Sequence, residues 1–92
     1  MISALEAIIS GRVQGVMYRD FTRRKAESLG IVGEVENLID GTVRLYAEGE
    51  EEGLEKFVAA LKKGTFLSRV ENIEYKFLEP KGTFSSFSIV YD

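Results

Sequence analysis

The chain contains no cysteine and no histidine. Without cysteine there is no disulfide, no thiol nucleophile and no thiolate set for a structural zinc. Without histidine there is no imidazole to act as general acid or base. A sequence free of cysteine fits a cytoplasmic protein. Proline occurs once, at position 80. No apolar run approaches the roughly 18 residues of a membrane span, and no signal peptide opens the chain, so a membrane is not an expected partner. An excess of positive charge is also missing. The net charge is −3, and a general affinity for nucleic acid is not expected.

What is present suits one small domain spanning 1–92, with room for a single core. Hydrophobic residues make up 45% and aromatics number six Phe and four Tyr, which excludes a disordered chain. Charge is unevenly spread. Residues 1–25 carry five basic and two acidic side chains, and the remainder carries seven basic and thirteen acidic. The basic end would draw a small anion by its local field. Within it, Arg23, Arg24 and Lys25 read as a solvated helix face.

The hydrophobic pattern gives the order of elements. Alternation from Ala4 to Ile9 predicts a first strand. From about Met17 to Leu29, Tyr18, Phe21, Ala26 and Leu29 fall on one helical face, and Gly30 sits where a C-cap glycine belongs. A second strand spans about Gly33 to Leu38. Asp40-Gly41 signals a hairpin into a third strand, Thr42 to Glu48. Val43, Leu45 and Ala47 share one face there, and Arg44 and Tyr46 the other. Glu50, Glu51 and Glu52 open a second helix and complement its dipole, with no need of a metal ion. Leu54, Phe57, Val58 and Leu61 form its core stripe. Lys62 and Lys63 close it, and Gly64 stops it. A fourth strand follows from about Arg69 to Leu78, then a loop with Pro80, then a short last strand, Phe87 to Tyr91. The expected fold class is α+β: a ferredoxin-like, split βαβ sandwich, βαββαβ with a short C-terminal extra strand. Two helices would cover one face of an antiparallel sheet and leave the other partly wet.

The stretch from Ser10 to Arg19 joins the first strand to the first helix and carries Gly11 and Gly15. Glycine accepts φ > 0 and lets backbone approach a ligand. Such a turn directs N–H groups beside the positive end of a helix dipole, an anion cradle in outline. Arg19 falls in the first helical turn, where its planar fork suits two phosphate oxygens. It is not a Walker A loop, because no Gly-Lys-Ser/Thr follows. Taken alone, the same features also describe an ordinary turn followed by a surface arginine.

Gly11-Arg12-Val13-Gln14-Gly15-Val16-Met17-Tyr18-Arg19 closely resembles the signature loop of the acylphosphatase family. Gly30 to Val43, including Asn37, resembles that family's second signature. Glu48-Gly49, the stripe Leu54, Phe57 and Leu61, and Phe87-Ser88-Ile89 also sit where similar chains have them. The resemblance covers nearly the whole chain and implies the same fold. It implies hydrolysis of the carboxylic–phosphoric anhydride of acyl phosphates to carboxylate and inorganic phosphate, without metal or organic cofactor; a monomer is the expected state, though nothing in the residues fixes it. Arg19 would be the phosphate-binding arginine and Asn37 the water-orienting asparagine. The backbone N–H groups of Val13, Gln14, Gly15, Val16 and Met17 would complete the cradle. Arg12 reads as structural or field-setting, and Gln14 as ordering the loop. Phosphoryl transfer asks mainly for positioning and charge stabilisation. A carboxylate leaves readily, so no general acid is needed, and the phosphate itself can take the water's proton.

Three positions depart from the family pattern. Glu34 stands where an aromatic residue is common, Thr65 where proline is frequent, and Val90 where arginine is common. The alternative is a ferredoxin-like regulatory domain that binds a small anion without turnover. An RNA-recognition domain is disfavoured, because the open sheet face offers Tyr46 among Glu6, Glu34 and Glu36.

Overall fold

Strand β1 (Ile2–Arg12) leads through a short loop into α1 (Tyr18–Ser28). There follow β2 (Val32–Asn37), β3 (Val43–Glu50), α2 (Glu51–Lys63), β4 (Arg69–Leu78) and β5 (Phe87–Val90). This is the order seen in a computed structural model that describes residues 1–91. The sheet runs β4-β1-β3-β2-β5. The first four strands in that row pair antiparallel, as the split βαβ arrangement requires. The last pairing differs from the expectation of an antiparallel sheet: β5 lies parallel to β2. The segment after β4 carries the chain to the opposite edge of the sheet, where it enters alongside β2.

β1 outruns its apolar stretch at both ends. Its ladders with β3 and β4 hold Ile2 and Ser3 at one end and Gly11 and Arg12 at the other. Strand ends follow backbone pairing more than hydrophobicity. The core joins Leu5, Ala7 and Ile9 of β1 and Val43, Leu45 and Ala47 of β3 to the helices. α2 contributes the expected stripe Leu54, Phe57, Val58 and Leu61. Phe57 is fully buried and meets Phe87 edge-on at 6.0 Å. Truncating such a residue to alanine costs about 3–5 kcal/mol. In α1 the buried positions are Tyr18, Thr22 and Ala26. Thr22 escapes a hydrophobic pattern because it is polar, yet its hydroxyl donates to the Tyr18 carbonyl at 2.8 Å and so tolerates burial. α1 ends in a Schellman motif: Ile31 N–H bonds to Ala26 O at 2.9 Å and Gly30 N–H to Glu27 O at 3.2 Å.

The face away from the helices is less open than expected. Arg44 lies between Glu34 and Glu36, at 2.8 and 2.6 Å. The segment around Lys81 and Phe84 lies over Tyr46, whose ring is 5.4 Å from that of Phe84, and Tyr46 and Glu48 are both buried. Two of the unusual residues thus have structural partners. Glu34 holds Arg44, and Thr65 exchanges hydrogen bonds with Ser68, N–H to Oγ at 2.7 Å and back at 3.1 Å.

Candidate active site

The junction between β1 and α1 begins two residues later than its glycines suggest. Gly11 is still in the strand, at a register shift opposite Val70, with φ 121°. A β-carbon there would overlap the Arg69 carbonyl oxygen. Gly11 is therefore needed for the approach of β4. Arg12, paired with Arg69, is the last strand residue and lies outside the loop.

Val13 is buried and fixes one end of the loop in the core. Tyr18 fixes the other: it is buried, and its hydroxyl donates to the Leu61 carbonyl at 2.8 Å. Burial pushes that phenol's pKa well up. Gln14 ties the middle sideways. Its Nε2 donates to the carbonyls of Leu38 and Thr42, both at 2.8 Å. The reading of Gln14 as the residue that orders the loop agrees with these bonds, which reach the turn directly after Asn37.

Between those anchors the backbone is unusual. Gly15 has φ 73° with open space where a side chain would go. Met17 has φ 63° and ψ 24°, the only non-glycine residue with positive φ among the described residues. It caps α1 without a side-chain hydrogen bond. The N–H groups of Gln14, Gly15, Val16 and Met17 find no acceptor among the described residues. Unpaired amides ahead of a helix N-terminus are what an anion requires.

Val13, Gly15, Met17 and Arg19 line one cavity of about 360 Å3. Arg19 is half-buried; its Nη1 donates to the Val90 carbonyl at 3.5 Å, and its guanidinium lies 5.0 Å from the centre of the Tyr91 ring. Asp20, Ile89 and Tyr91 complete the wall. Asp20 is paired with Arg23 at 2.8 Å and Arg24 at 3.0 Å along the solvent side of α1. The hydrogen bond from Arg23 holds the Asp20 carboxyl below its usual range. A larger hollow of about 430 Å3 lies on the open face beside Glu6, Arg44, Glu74 and Lys76. Its lining comes from regular strands, with no loop or helix N-terminus, and it mixes charges of both signs.

Asn37 is the last residue of β2, paired with Val43, and its side chain does not line the cavity. Its Oδ1 is buried without a hydrogen-bond partner among the described residues. The side chains of Gln14 and Val16 likewise do not line it. Val16 packs partly against the core. Ile89 and Tyr91 are the site residues that sequence reasoning missed. Alternation identified a terminal strand, but its place beside β2 depends on tertiary pairing that no local signal carries.

Fold and loop together define a class: a split βαβ domain whose strand-to-helix loop carries unpaired amides and lines a cavity with a half-buried arginine, groups that suit a small anion. A sequence model of the acylphosphatase family matches residues 5–89. An acylphosphatase of Archaeoglobus fulgidus is 50% identical over 88 residues, covering 96% of this chain and 98% of that protein. One from Thermus thermophilus is 50% identical over 78 residues, covering 85% and 89%. The crystal structure of an acylphosphatase from Bacillus subtilis matches with a TM-score of 0.93 at 38% identity, over 99% of this chain and all of that one. The chain belongs to the acylphosphatase family. It is an enzyme, a hydrolase acting on acyl phosphates. No helix among the described residues is long and apolar enough to cross a membrane.

Proposed function

We propose that the loop Val13–Met17 and Arg19 bind the phosphoryl group and that Asn37 orients the attacking water. The observation that carries this reading is the row of unpaired amides, Gln14 to Met17, opening beside Arg19. In it the amides and the guanidinium share the three non-bridging oxygens, neutralising charge that spreads over them in the transition state. Asn37 Oδ1 accepts a hydrogen bond from water, which points a water lone pair at phosphorus. The new O–P bond forms as the bond from phosphorus to the acyl oxygen breaks. The carboxylate leaves with that electron pair, and the water's proton passes to a phosphate oxygen. The buried, unpartnered Oδ1 supports this role, since such an acceptor is rare in a merely structural amide.

In this reading 1–92 is one catalytic domain that acts as a cytoplasmic monomer without metal or organic cofactor, with acyl phosphate and inorganic phosphate as its small-molecule partners. The test is phosphate release from benzoyl phosphate in the presence of EDTA, with inorganic phosphate as a competitive inhibitor. Strict dependence on added Mg²⁺ would overturn the metal-free reading. Phosphate binding with no turnover of any acyl phosphate would favour the regulatory alternative.

A further inference from the structure

The turn between α2 and β4, residues 64–68, departs from ordinary turn chemistry. Its frame is fixed. Gly64 ends α2 with φ 68°, and a β-carbon there would crowd the Ser68 hydroxyl. Thr65 N–H donates to Ser68 Oγ at 2.7 Å, and Ser68 N–H donates to Thr65 Oγ1 at 3.1 Å. The two residues held between them are Phe66 and Leu67, where glycine, proline, asparagine, aspartate and serine dominate. Phe66 is fully exposed and Leu67 is 56% exposed. Exposed large apolar side chains are usually scattered singly; here two are consecutive at the tip of a braced turn.

The charges beside the tip are of one sign. Lys63 precedes the turn and Arg69 follows it, and both are exposed. Arg69 lies directly opposite Arg12 in the β1–β4 ladder, and Arg12 is exposed as well. Like charges directly opposite destabilise a sheet. None of the three makes an ion pair among the described residues. The nearest acid in the chain is Glu71, at the register shift further along β4. Lys62 is turned away onto the Tyr75 ring, 5.8 Å from its centre.

We propose that this turn docks the enzyme on a membrane surface bearing anionic headgroups. Phe66 and Leu67 insert at the headgroup level, and Lys63, Arg69 and Arg12 meet the lipid phosphates. Apolar insertion and attraction to anionic lipid add in such contacts. A second copy of the chain fits less well, because a two-fold contact would set one basic cluster against its twin. The contact is peripheral: no helix among the described residues is long and apolar enough to cross a membrane, and a turn resting on the surface needs none. β1 ends at Arg12 and the phosphate loop starts at Val13, so turn and loop leave the same end of the sheet.

Co-sedimentation of the full chain with vesicles of equal parts phosphatidylglycerol and phosphatidylcholine is the test. The wild-type chain is expected to bind at low salt, to be released as salt rises, and to ignore vesicles of phosphatidylcholine alone. Phe66→Ser combined with Leu67→Ser should cut the partition coefficient by ~tenfold or more, since burying even one such side chain is worth about that factor. Lys63→Gln combined with Arg69→Gln should remove the preference for phosphatidylglycerol. Hydrolysis of benzoyl phosphate without vesicles should be unchanged in the Phe66 and Leu67 variant, whose lost side chains lie outside the site. No binding to the mixed vesicles overturns the proposal, and so does equal partition of wild type and that variant. Concentration-dependent dimerisation abolished by the same variant, without vesicle binding, would assign the turn to a second copy. Binding to polyglutamate and not to the vesicles would assign it to an acidic protein, and either result overturns the lipid surface.

Discussion

The loop at residues 13–17 and the segment at residues 80–84 both lay irregular backbone against the sheet, but only the second has its anion built in. Glu48 Oε2 accepts from the N–H of Lys81 at 2.6 Å, from that of Gly82 at 3.2 Å and from the Tyr46 hydroxyl at 2.5 Å. The carboxylate is buried, and every donor aimed at it is satisfied. The Tyr46 hydroxyl, followed by the Lys81 and Gly82 amides, holds the Glu48 carboxyl below its usual range. At residues 14–17 the amides have no acceptor among the described residues, and Met17 is held in a left-handed conformation. In the proposed reading, the cluster left open is the one that takes an external anion. Strain and unpaired groups of this kind tend to gather at functional sites, which is why the loop carries the proposal.

The contrast is broken most severely by removing the charge at the open site. Arg19→Ala should abolish detectable phosphate binding and lower turnover by at least ~10²–10³, the scale for losing one preorganised donor. Arg19→Lys should also be poor, because an ammonium lacks the bidentate fork. Thermal stability should hardly change, since the wild-type side chain makes one long bond to Val90 and a stack on the exposed Tyr91. Substantial activity in Arg19→Lys would remove the geometric role assigned to the guanidinium.

Asn37→Ala should lower kcat by roughly two orders of magnitude while leaving phosphate affinity within a few-fold. Its effect on stability separates function from structure. The Oδ1 atom is buried and unpaired, so deleting it should not destabilise the fold and is expected to hold or raise Tm. Asn37→Asp should weaken phosphate binding as well, because it places negative charge near a dianion. A destabilised but fully active Asn37→Ala would take Asn37 out of the site.

Much of this was legible in the residues, and what was not has a common cause. Periodicity located both helices, and Asp40-Gly41 located the hairpin, with Thr42 N–H now seen donating to Asp40 Oδ1 at 3.0 Å. Arg19 and the loop were visible because glycines, an arginine and a helix start are local signals, sharpened by the family motif. The parallel seat of β5, the lid on Tyr46 and the Tyr91 stack on Arg19 all depend on the segment after β4 crossing the sheet. Nothing in its sequence says where it lands. Gly11 was misplaced for a related reason: its need comes from β4, nearly sixty residues away in the chain.

The closed cluster is tested by Glu48→Gln. The amide group keeps one acceptor but opposes donor to donor, a loss of about 1–3 kcal/mol for buried groups left unpaired. In a domain of this size each kcal/mol shifts Tm by about 4–8 °C. The pH dependence follows from the direction of the shift. The folded carboxyl has the lower pKa, so the unfolded chain takes up the proton first on acidification. The advantage of wild type over Glu48→Gln should be full above the unfolded carboxylate's pKa and shrink as pH falls through the folded one. Phosphate inhibition measured at neutral pH should be unaffected, because the clamp is built from β3 and the 80–84 segment. A constant Tm difference across that acid range would mean that shape, and not charge, makes the clamp.

The smallest effect should come from Met17, and it runs the other way. A methionine in the left-handed region costs roughly 1–2 kcal/mol against an ordinary helical residue. Asparagine is enriched in that region and is among the best N-cap residues. Met17 caps α1 with no side-chain hydrogen bond and is largely exposed, so little packing stands to be lost. Met17→Asn should therefore raise stability by about 1 kcal/mol, read as a Tm several degrees higher. The backbone N–H groups of the loop remain, so inorganic phosphate should inhibit within about twofold of wild type, a change of under ~0.5 kcal/mol. A more stable enzyme with unchanged phosphate inhibition is the outcome if the left-handed turn at Met17 is strained in the wild-type chain. If stability falls instead, the left-handed turn is one the fold itself favours with methionine in place, and the strain attributed to the open loop is not there.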